Sequence, residues 1–422
     1  MLLRMVFRNI KRNKRRSILA CVSVCIALTG VVVLQGLVDG MMDNIIRNST
    51  KNDTGHIRIA NKEFLENLQY MPVYYFIHNS EKLKGFLNNI PEFRDRVVIV
   101  TERIRFPVLV EFKGNNKIAI CFAGDIDKEK ELLMLHKSIV EGRYLSGEVI
   151  EEKGVRYREI IVGRKMAEVL RLKVGDSFSL MVQGSDFGIR IPRFKVVGIF
   201  NTGINAIDDN IFMLSINDAK EILGSGNGTQ EIIVMLKNYN DSLWLSEKIN
   251  QNLESSQEFS YIKAVSWKSS GSLASSLEQI SGIYAFMYFF ITLLGAFIIM
   301  SIMMMVVLER RKEIGILKAM GFKNLEVLIV FTLEGTLLGT IGTVGGVVLG
   351  TLINLPLSIW GIDFSSSLSN MNFPMDNVIK WMITGTSILG SIVLGVFVSA
   401  IVSIIPSRHA AKMNPIDAIR SV

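Results

Sequence analysis

The stretch Ile283–Leu308, IYAFMYFFITLLGAFIIMSIMMMVVL, carries no charged side chain and runs directly into Glu309-Arg310-Arg311-Lys312-Glu313. A helix needs about 20 mostly apolar residues to cross a bilayer. The stretch therefore reads as a membrane span that ends at a charged interface. Working outward, three more stretches qualify. They are Ile18–Val38, Val327–Leu355 with one acid (Glu334), and Val378–Ile405 with Lys380 near its start. Four spans put both termini on one side. Of the 422 residues, 49% are hydrophobic and 20% charged, against about 25% charged in a typical soluble chain. That balance excludes a disordered chain and argues against an ordinary soluble enzyme. Three cysteines exclude a disulfide framework.

Lys and Arg beside the spans set the orientation. The first sixteen residues carry Arg4, Arg8, Lys11, Arg12, Lys14, Arg15 and Arg16 with no acid, and the loop after Leu308 carries Arg310, Arg311, Lys312, Lys318 and Lys323. The loop 356–377 has no Lys or Arg. The termini and the 309–326 loop are thus expected in the cytoplasm, with the long segment 43–282 outside. That segment balances its acids and bases, so the net charge of +8 sits on the cytoplasmic side. It reflects topology and attraction to lipid headgroups, and no nucleic-acid partner is expected. Residues 1–17 read as an interfacial basic helix and 18–42 as the first span with its extension. Ile18-Leu19-Ala20-Cys21 resembles a lipoprotein processing site, but a basic run replaces the apolar stretch required before the cysteine. An uncleaved span is expected.

The expected fold class is an α-helical membrane protein of four spans with a large extracytoplasmic α+β domain between the first two. Alternating polarity predicts strands over 55–60, 97–112, 117–123, 159–163, 177–182, 193–200, 211–214, 231–236 and 261–265. Helical patterns fall at 81–89, 165–170, 217–223 and 241–253. Two strand–helix–strand patterns, within 55–138 and 229–268, should pack as one subdomain. Residues 139–228 then form an inserted β-rich lobe that ends at the glycine-rich 224–228. Cys121 is the solitary cysteine of this domain. Residues 269–282 are helix-compatible and continue into the second span, as a transmitting rod or a simple stalk. The spans 283–308, 327–355 and 378–405 complete the chain, with a tail at 406–422.

Signs of catalysis are missing. There is no G-x-x-x-x-G-K-[ST] and no G-x-S-x-G, and His56, His78, His136 and His409 have no metal-ligand spacing. The spans are more informative. Gly335, Gly339, Gly342, Gly346 and Gly350 line the third, and Ser387, Ser391, Gly395, Ser399 and Ser403 recur at four-residue spacing in the fourth. Small residues let helix backbones approach, so these two spans are expected to pack tightly together. Glu334, inside a span, either marks function or bonds a neighbouring helix or a loop cation. The loop Glu309–Phe322, ERRKEIGILKAMGF, is a short amphipathic helix ended by glycine. Its stripe of Ile314, Leu317 and Met320 suits either a groove on a partner protein or the headgroup layer.

ERRKEIGILKAMGF and the C-terminal PSRHAAKMNPIDAIRSV resemble the signatures of FtsX/MacB-type ABC transporter permeases, and the order of segments is similar throughout the chain. The resemblance implies a permease dimer, with a second copy or a homologous permease, and a separate pair of ABC ATPase subunits. ATP and Mg would sit on those subunits, leaving no cofactor and no enzymatic activity in this chain. It implies mechanotransmission from ATPase to outer domain through a coupling helix carrying Glu309, Arg310, Glu313, Ile314, Gly315, Leu317, Lys318 and Gly321.

Within that superfamily, RNIKRNKRRS, GHIRIA and VGRKMAEVLRLKVGDSFSLMVQ with RIPRFKVVGIF are similar to the LolC/LolE lipoprotein-releasing permeases. That implies a bacterial inner-membrane protein with its large domain in the periplasm. It also implies a lipoprotein substrate, contact with membrane lipids, and a periplasmic lipoprotein carrier recruited by a hairpin at 181–194 (Met181, Val182, Phe187, Ile189, Pro192). The family's hairpin tip carries proline, whereas this tip reads Gln183-Gly184-Ser185-Asp186-Phe187-Gly188. The chain is then the partner that does not recruit, or a homodimer that does both jobs. The other reading is a MacB-like efflux permease or an FtsX-like regulator of a wall hydrolase. Acyl chains would enter from the outer leaflet at Leu34, Leu37 and Met41 of the first span and Ile283, Phe286 and Phe290 of the second.

Overall fold

The computed structural model describes residues 14–269, 271–364, 376 and 378–414. The basic helix expected over 1–17 falls almost wholly outside the described residues, as do the last eight residues of the C-terminal motif. The chain forms two units. One is Asn44–Leu277 with Phe364–Asn377; the other is Met1–Asp43, Glu278–Asp363 and Val378–Val422.

The unit from Asn44 to Leu277 contains two layered substructures that share one long strand. In the first, β12 (Ile262–Ser266), β1 (Ile57–Asn61), β11 (Glu231–Leu236) and β2 (Val97–Phe112) lie side by side in that order. Strand β1 is antiparallel to both neighbours, and β11 is antiparallel to β2. Two strand–helix–strand segments are thus interleaved, the ferredoxin-like arrangement. Helices Ser80–Asn88 and Ser242–Glu254 supply Leu83, Leu87, Leu245, Ile249 and Leu253 to the core against Ile57, Ile59, Ile232 and Val234. The first helix starts where it does because Asn79 accepts a hydrogen bond from the Lys82 N–H. Pro91 opens the next, Pro91–Arg96.

Strand β2 continues past this sheet. At Lys113-Gly114 both φ angles are positive, 49° and 81°, which suits a tight hairpin into β3 (Asn115–Gly124). From β3 the pairing runs to β10 (Ile211–Ser215), β6 (Val155–Gly163), β9 (Arg193–Phe200) and β7 (Ser177–Gln183). It then returns to β2 through Leu109↔Met181 and Val110↔Leu180. The result is a closed six-stranded barrel without free edges. It is filled by Phe106, Val108, Phe178, Leu180, Phe194, Val196 and Phe212 among others. The division expected at residue 139 therefore falls elsewhere: the second half of β2 and all of β3 belong to the barrel. Cys121 faces the barrel interior, where burial pushes its thiol pKa up.

In the other unit, α1 (Lys14–Ser49), α4 (Asn324–Trp360) and α5 (Gly385–Lys412) are long helices. Among the described residues these three are long and apolar enough to cross a membrane. A further long helix, α2 (Gly271–Glu309), carries the apolar run Ser281–Phe297. Helix α3 (Arg311–Ala319) joins α2 to α4. The helix expected as the fourth span begins later than predicted. Val378–Ile379 pairs with Ile362–Asp363, and α5 starts at Gly385 behind Thr384, whose side chain accepts from the Ser387 N–H. The residues between lie along α1: Met382 N–H donates to Gly36 O at 2.9 Å and Trp381 Nε1 to Val33 O at 3.1 Å.

The glycines of α4 serve two partners. A Cβ on Gly335 or Gly339 would overlap Ser403 or Ser399 of α5, and one on Gly395 would lie 2.6 Å from the Thr343 side chain. Gly342, Gly346 and Gly350 instead face α1. A Cβ on Gly346 would lie 2.6 Å from Cys25 O, and one on Gly350 2.7 Å from Val32 Cβ. The expectation that all these glycines pack on the fourth span therefore holds for only part of the stripe. Two of the serines bridge to α1, Ser387 donating to Asp39 Oδ2 at 2.6 Å and Ser391 to Gln35 Oε1 at 2.8 Å; the others do not. Ser399, Ser403 and Ser407 each donate to their own helix, four residues back, at 2.6 Å.

Candidate functional site

Helix α2 stops at Glu309 because Arg310 leaves helical geometry, with φ −96° and ψ 17°. Helix α3 follows at once. The chain turns back at Gly321, whose φ of +96° suits glycine, and α4 begins with the Lys323 N–H donating to the Glu326 carboxylate at 2.8 Å. Arg310 Nη1 lies 3.0 Å from both carboxylate oxygens of Glu334. At the other end of α3, Lys318 Nζ donates to Ala411 O at 2.8 Å and Met413 O at 2.6 Å. Ile314 packs with Val307, Val327, Phe331, Ala410 and Ala411.

This geometry reassigns the sequence-predicted coupling residues. Arg310, Ile314 and Gly315 are buried within the chain, and Leu317 and Lys318 are half-buried. They fasten α3 and do not form its outer face. That face carries Ile316, 52% exposed, and Met320, 66% exposed, one turn apart, with exposed Arg311 and Lys312 on the same short helix. Glu309 and Gly321 are exposed and Glu313 half-exposed. Of the expected stripe only Met320 stands out fully. Ile316 was missed because periodicity alone does not say which side of so short a helix α4 and α5 will cover.

The hairpin residues are similarly divided. Val182 is buried in the barrel, Pro192 is half-buried, and Met181, Phe187 and Ile189 are exposed. The tip is pinned: Ser185 N–H donates to Leu223 O at 2.8 Å, Arg190 Nη1 donates to Ile222 O at 2.5 Å, and Arg190 Nη2 pairs with Asp186 at 2.9 Å. Phe187, with φ +64°, has its ring centroid 5.2 Å from that of Tyr74. Cross-strand pairing places Leu109 beside Ile118 on one side and Met181 on the other. These three, with Ile189 and Ile191, form an exposed apolar belt on the barrel wall. Register between distant strands decides that belt, which is why Leu109, Ile118 and Ile191 were not anticipated.

Ile283, Phe286 and Phe290 are exposed on α2, and the rings of the two phenylalanines lie 4.6 Å apart. Leu34, Leu37 and Met41 are half-buried on α1, and Tyr284 Oη donates to Met41 Sδ at 3.3 Å.

A buried charge cluster in the Asn44–Leu277 unit was not anticipated. Arg103 pairs with Glu129, both side chains fully buried, and Arg58 and Arg105 meet Asp53 and Glu231. Arg103 Nη2 also donates to Lys51 O at 2.6 Å, so the cluster grips the turn Thr50–Thr54 that follows α1. Burial raises the Asp53 pKa, but Arg105 and Arg58 outweigh it and hold the carboxyl well below its usual range. The alternating charges of Glu102-Arg103-Ile104-Arg105 in an otherwise apolar strand were the available signal. Among the described residues no three His, Cys, Asp or Glu side chains gather as metal ligands.

Residues 17–251 match the MacB-like periplasmic core domain, and residues 285–415 match the FtsX-like permease C-terminal. The chain belongs to the FtsX/MacB permease superfamily and is an ABC transporter permease of the MacB/FtsX/LolC family. Among its relatives is an ABC transporter permease of Methanocaldococcus jannaschii. It is 29% identical over 324 residues, covering 74% of this chain and 73% of that one. The lipoprotein-releasing system transmembrane protein LolC of Xylella fastidiosa is 26% identical over 276 residues, 62% of this chain and 64% of that one. The macrolide export ATP-binding/permease protein MacB of Campylobacter jejuni is 26% identical over 232 residues, 54% and 34% of the two chains. The match thus spans under two thirds of LolC and about a third of MacB.

Proposed function

We propose that this chain is the four-span membrane subunit of a lipoprotein-releasing, mechanotransmitting ABC transporter. A separate ATPase holding ATP and Mg docks on α3, and the outer unit responds. The observation that carries the reading is the outer face of α3. Ile316 and Met320 are exposed on a short helix whose opposite side is fastened by Arg310, Ile314 and Lys318. A helix held rigidly on one side and apolar on the other suits docking into a groove. The basic residues around it support a cytoplasmic side for α3, and the family match supports an inner-membrane protein whose outer unit lies in the periplasm. The permease acts as a dimer, with a second copy or a homologous chain.

Lipoprotein release is supported by the LolC relatives and by two apolar surfaces. Ile283, Phe286 and Phe290 form an exposed face suited to acyl chains, because aromatic side chains offer apolar area to variable shapes. The barrel belt of Leu109, Met181 and Ile189 offers an apolar face to a carrier. A second reading, mechanotransmission without a carrier as in efflux, is favoured by the pinned hairpin tip at Ser185 and Arg190. Met320→Asp should abolish co-purification of the ATPase while the permease stays in the membrane; undiminished co-purification would reject docking on α3. A photoreactive residue at Phe290 should trap lipoprotein, with less adduct when ATP is added. Trapping phospholipid alone, with or without ATP, would reject lipoprotein release and leave the second reading.

A further inference from the structure

Arg310 and Glu334 are unlike the rest of α3 and its surroundings. Their side chains are 6% and 1% exposed, and a single guanidinium nitrogen is shared equally between two carboxylate oxygens. Arg310 is the one residue between the end of α2 and the start of α3, and its backbone is not helical. It is therefore where the angle between those helices is set. Glu334 stands on α4 beside Phe331, Gly335 and Leu338, all buried. An ion at such a place in an apolar helix needs a reason. Stability alone is a poor one, because a buried ion pair contributes no more than well-packed apolar residues of the same volume. An ion pair does differ from apolar packing in being directional. Ile314 against Phe331 can slide and stay in contact; Nη1 between Oε1 and Oε2 cannot.

We infer that the Arg310–Glu334 pair is a latch that makes α3 and α4 move as one body. A push on α3 then displaces α4, where a free hinge at Arg310 would absorb it. The inference rests on the proposal that α3 is the docking helix. Arg310 and Glu334 are positioning residues: their side chains are buried within the chain, and they act by holding α3. Lys318, bonded to Ala411 O in the last turn of α5 and to Met413 O just past it, ties the far end of α3, so a lost latch leaves the helix attached there and able to pivot.

The test uses the full chain with its ATPase in lipid nanodiscs. It compares wild type, Glu334→Gln, the double variant Arg310→Leu/Glu334→Leu, and the exchanged pair Arg310→Glu/Glu334→Arg. Three quantities are read: melting temperature, ATPase retained, and stimulation of ATP hydrolysis by the permease. A fourth is the distance between spin labels on Lys312→Cys and Ile341→Cys, in a chain whose own cysteines are serine. The single variant should melt lower and lose stimulation. The leucine pair should recover the melting temperature and retain the ATPase, yet stimulation should stay down by about tenfold, within the usual range of a coupling free energy. Its label distance should broaden. The exchanged pair should recover part of the stimulation. Full stimulation and a narrow distance in the leucine pair would overturn the latch, as would a Glu334→Gln variant that behaves as wild type. An ATPase that fails to bind even the wild type would reject docking on α3, and the label distance would then decide the latch alone.

Discussion

Inside the barrel the closest packing is made by large side chains, Phe106, Phe178, Phe194 and Phe212. Between α4 and its neighbours it is made by missing ones, with Gly335 and Gly339 against serines and Gly342, Gly346 and Gly350 against α1. The difference follows from the solvent. Water drives apolar side chains into the barrel in proportion to their area. Lipid supplies no such drive between helices, so contact area has to come from close backbone approach. Polar groups divide in the same way. The Asn44–Leu277 unit buries a branched network of Arg58, Arg103, Arg105, Asp53, Glu129 and Glu231. In the other unit, Arg310–Glu334 is the single ion pair found among the described residues.

The largest effect expected from this comparison is on the two buried pairs. Glu129→Leu leaves Arg103 uncompensated and should cost about 3–5 kcal/mol, read as a fall in the melting temperature of the full chain. Arg103→Met with Glu129→Leu should recover most of it, and here, in contrast to Arg310–Glu334, transport should recover with stability. Next comes Gly346→Leu. The side chain meets Cys25 O and Leu28 of α1, and overpacking should cost about 1–3 kcal/mol. A melting temperature equal to wild type would show that α1 and α4 do not pack at this glycine.

A smaller effect concerns pH. Burial lowers the His56 pKa to about 4, and its Nδ1 accepts the Leu236 N–H, which an imidazolium cannot do. The unfolded value is about 6.5, so the neutral imidazole is the form the fold prefers. Its contribution is complete above about pH 6.5 and is lost as pH falls toward about 4. His56→Gln should flatten that part of the stability profile; an unchanged slope would assign the loss to other groups. The smallest expected change is Ser399→Ala. Its hydroxyl bonds only its own helix at Gly395 O, so the melt should shift by less than about 0.5 kcal/mol.

How far such contrasts are legible in a sequence depends on whether the deciding contact is local. Strands 97–112, 193–200 and 231–236 follow from alternation, and their bounds agree with the structure. The barrel does not follow, because its closure rests on Leu109 meeting Met181, a register that nothing near either residue specifies. Helix Ile126–Leu133 was missed since IDKEKELL offers little apolar periodicity, although Asp125 caps it. The start of the fourth span was misplaced because Val378–Met382 is apolar for a different reason, contact with α1. At the candidate site, ERRKEIGILKAMGF announced a short helix ended by glycine. The partner of Glu334 and the choice between Ile314 and Ile316 as the outer residue both depend on how α3 lies on α4 and α5.

That choice gives the most direct test of the account. Photoreactive residues placed one at a time at Ile314, Ile316 and Met320, in membranes containing the full chain and its ATPase, report which side of α3 the ATPase touches. Adducts from 316 and 320, with none from 314, are the predicted result. Adducts from 314 equal to those from 316, or none from any of the three with the ATPase present, would contradict it.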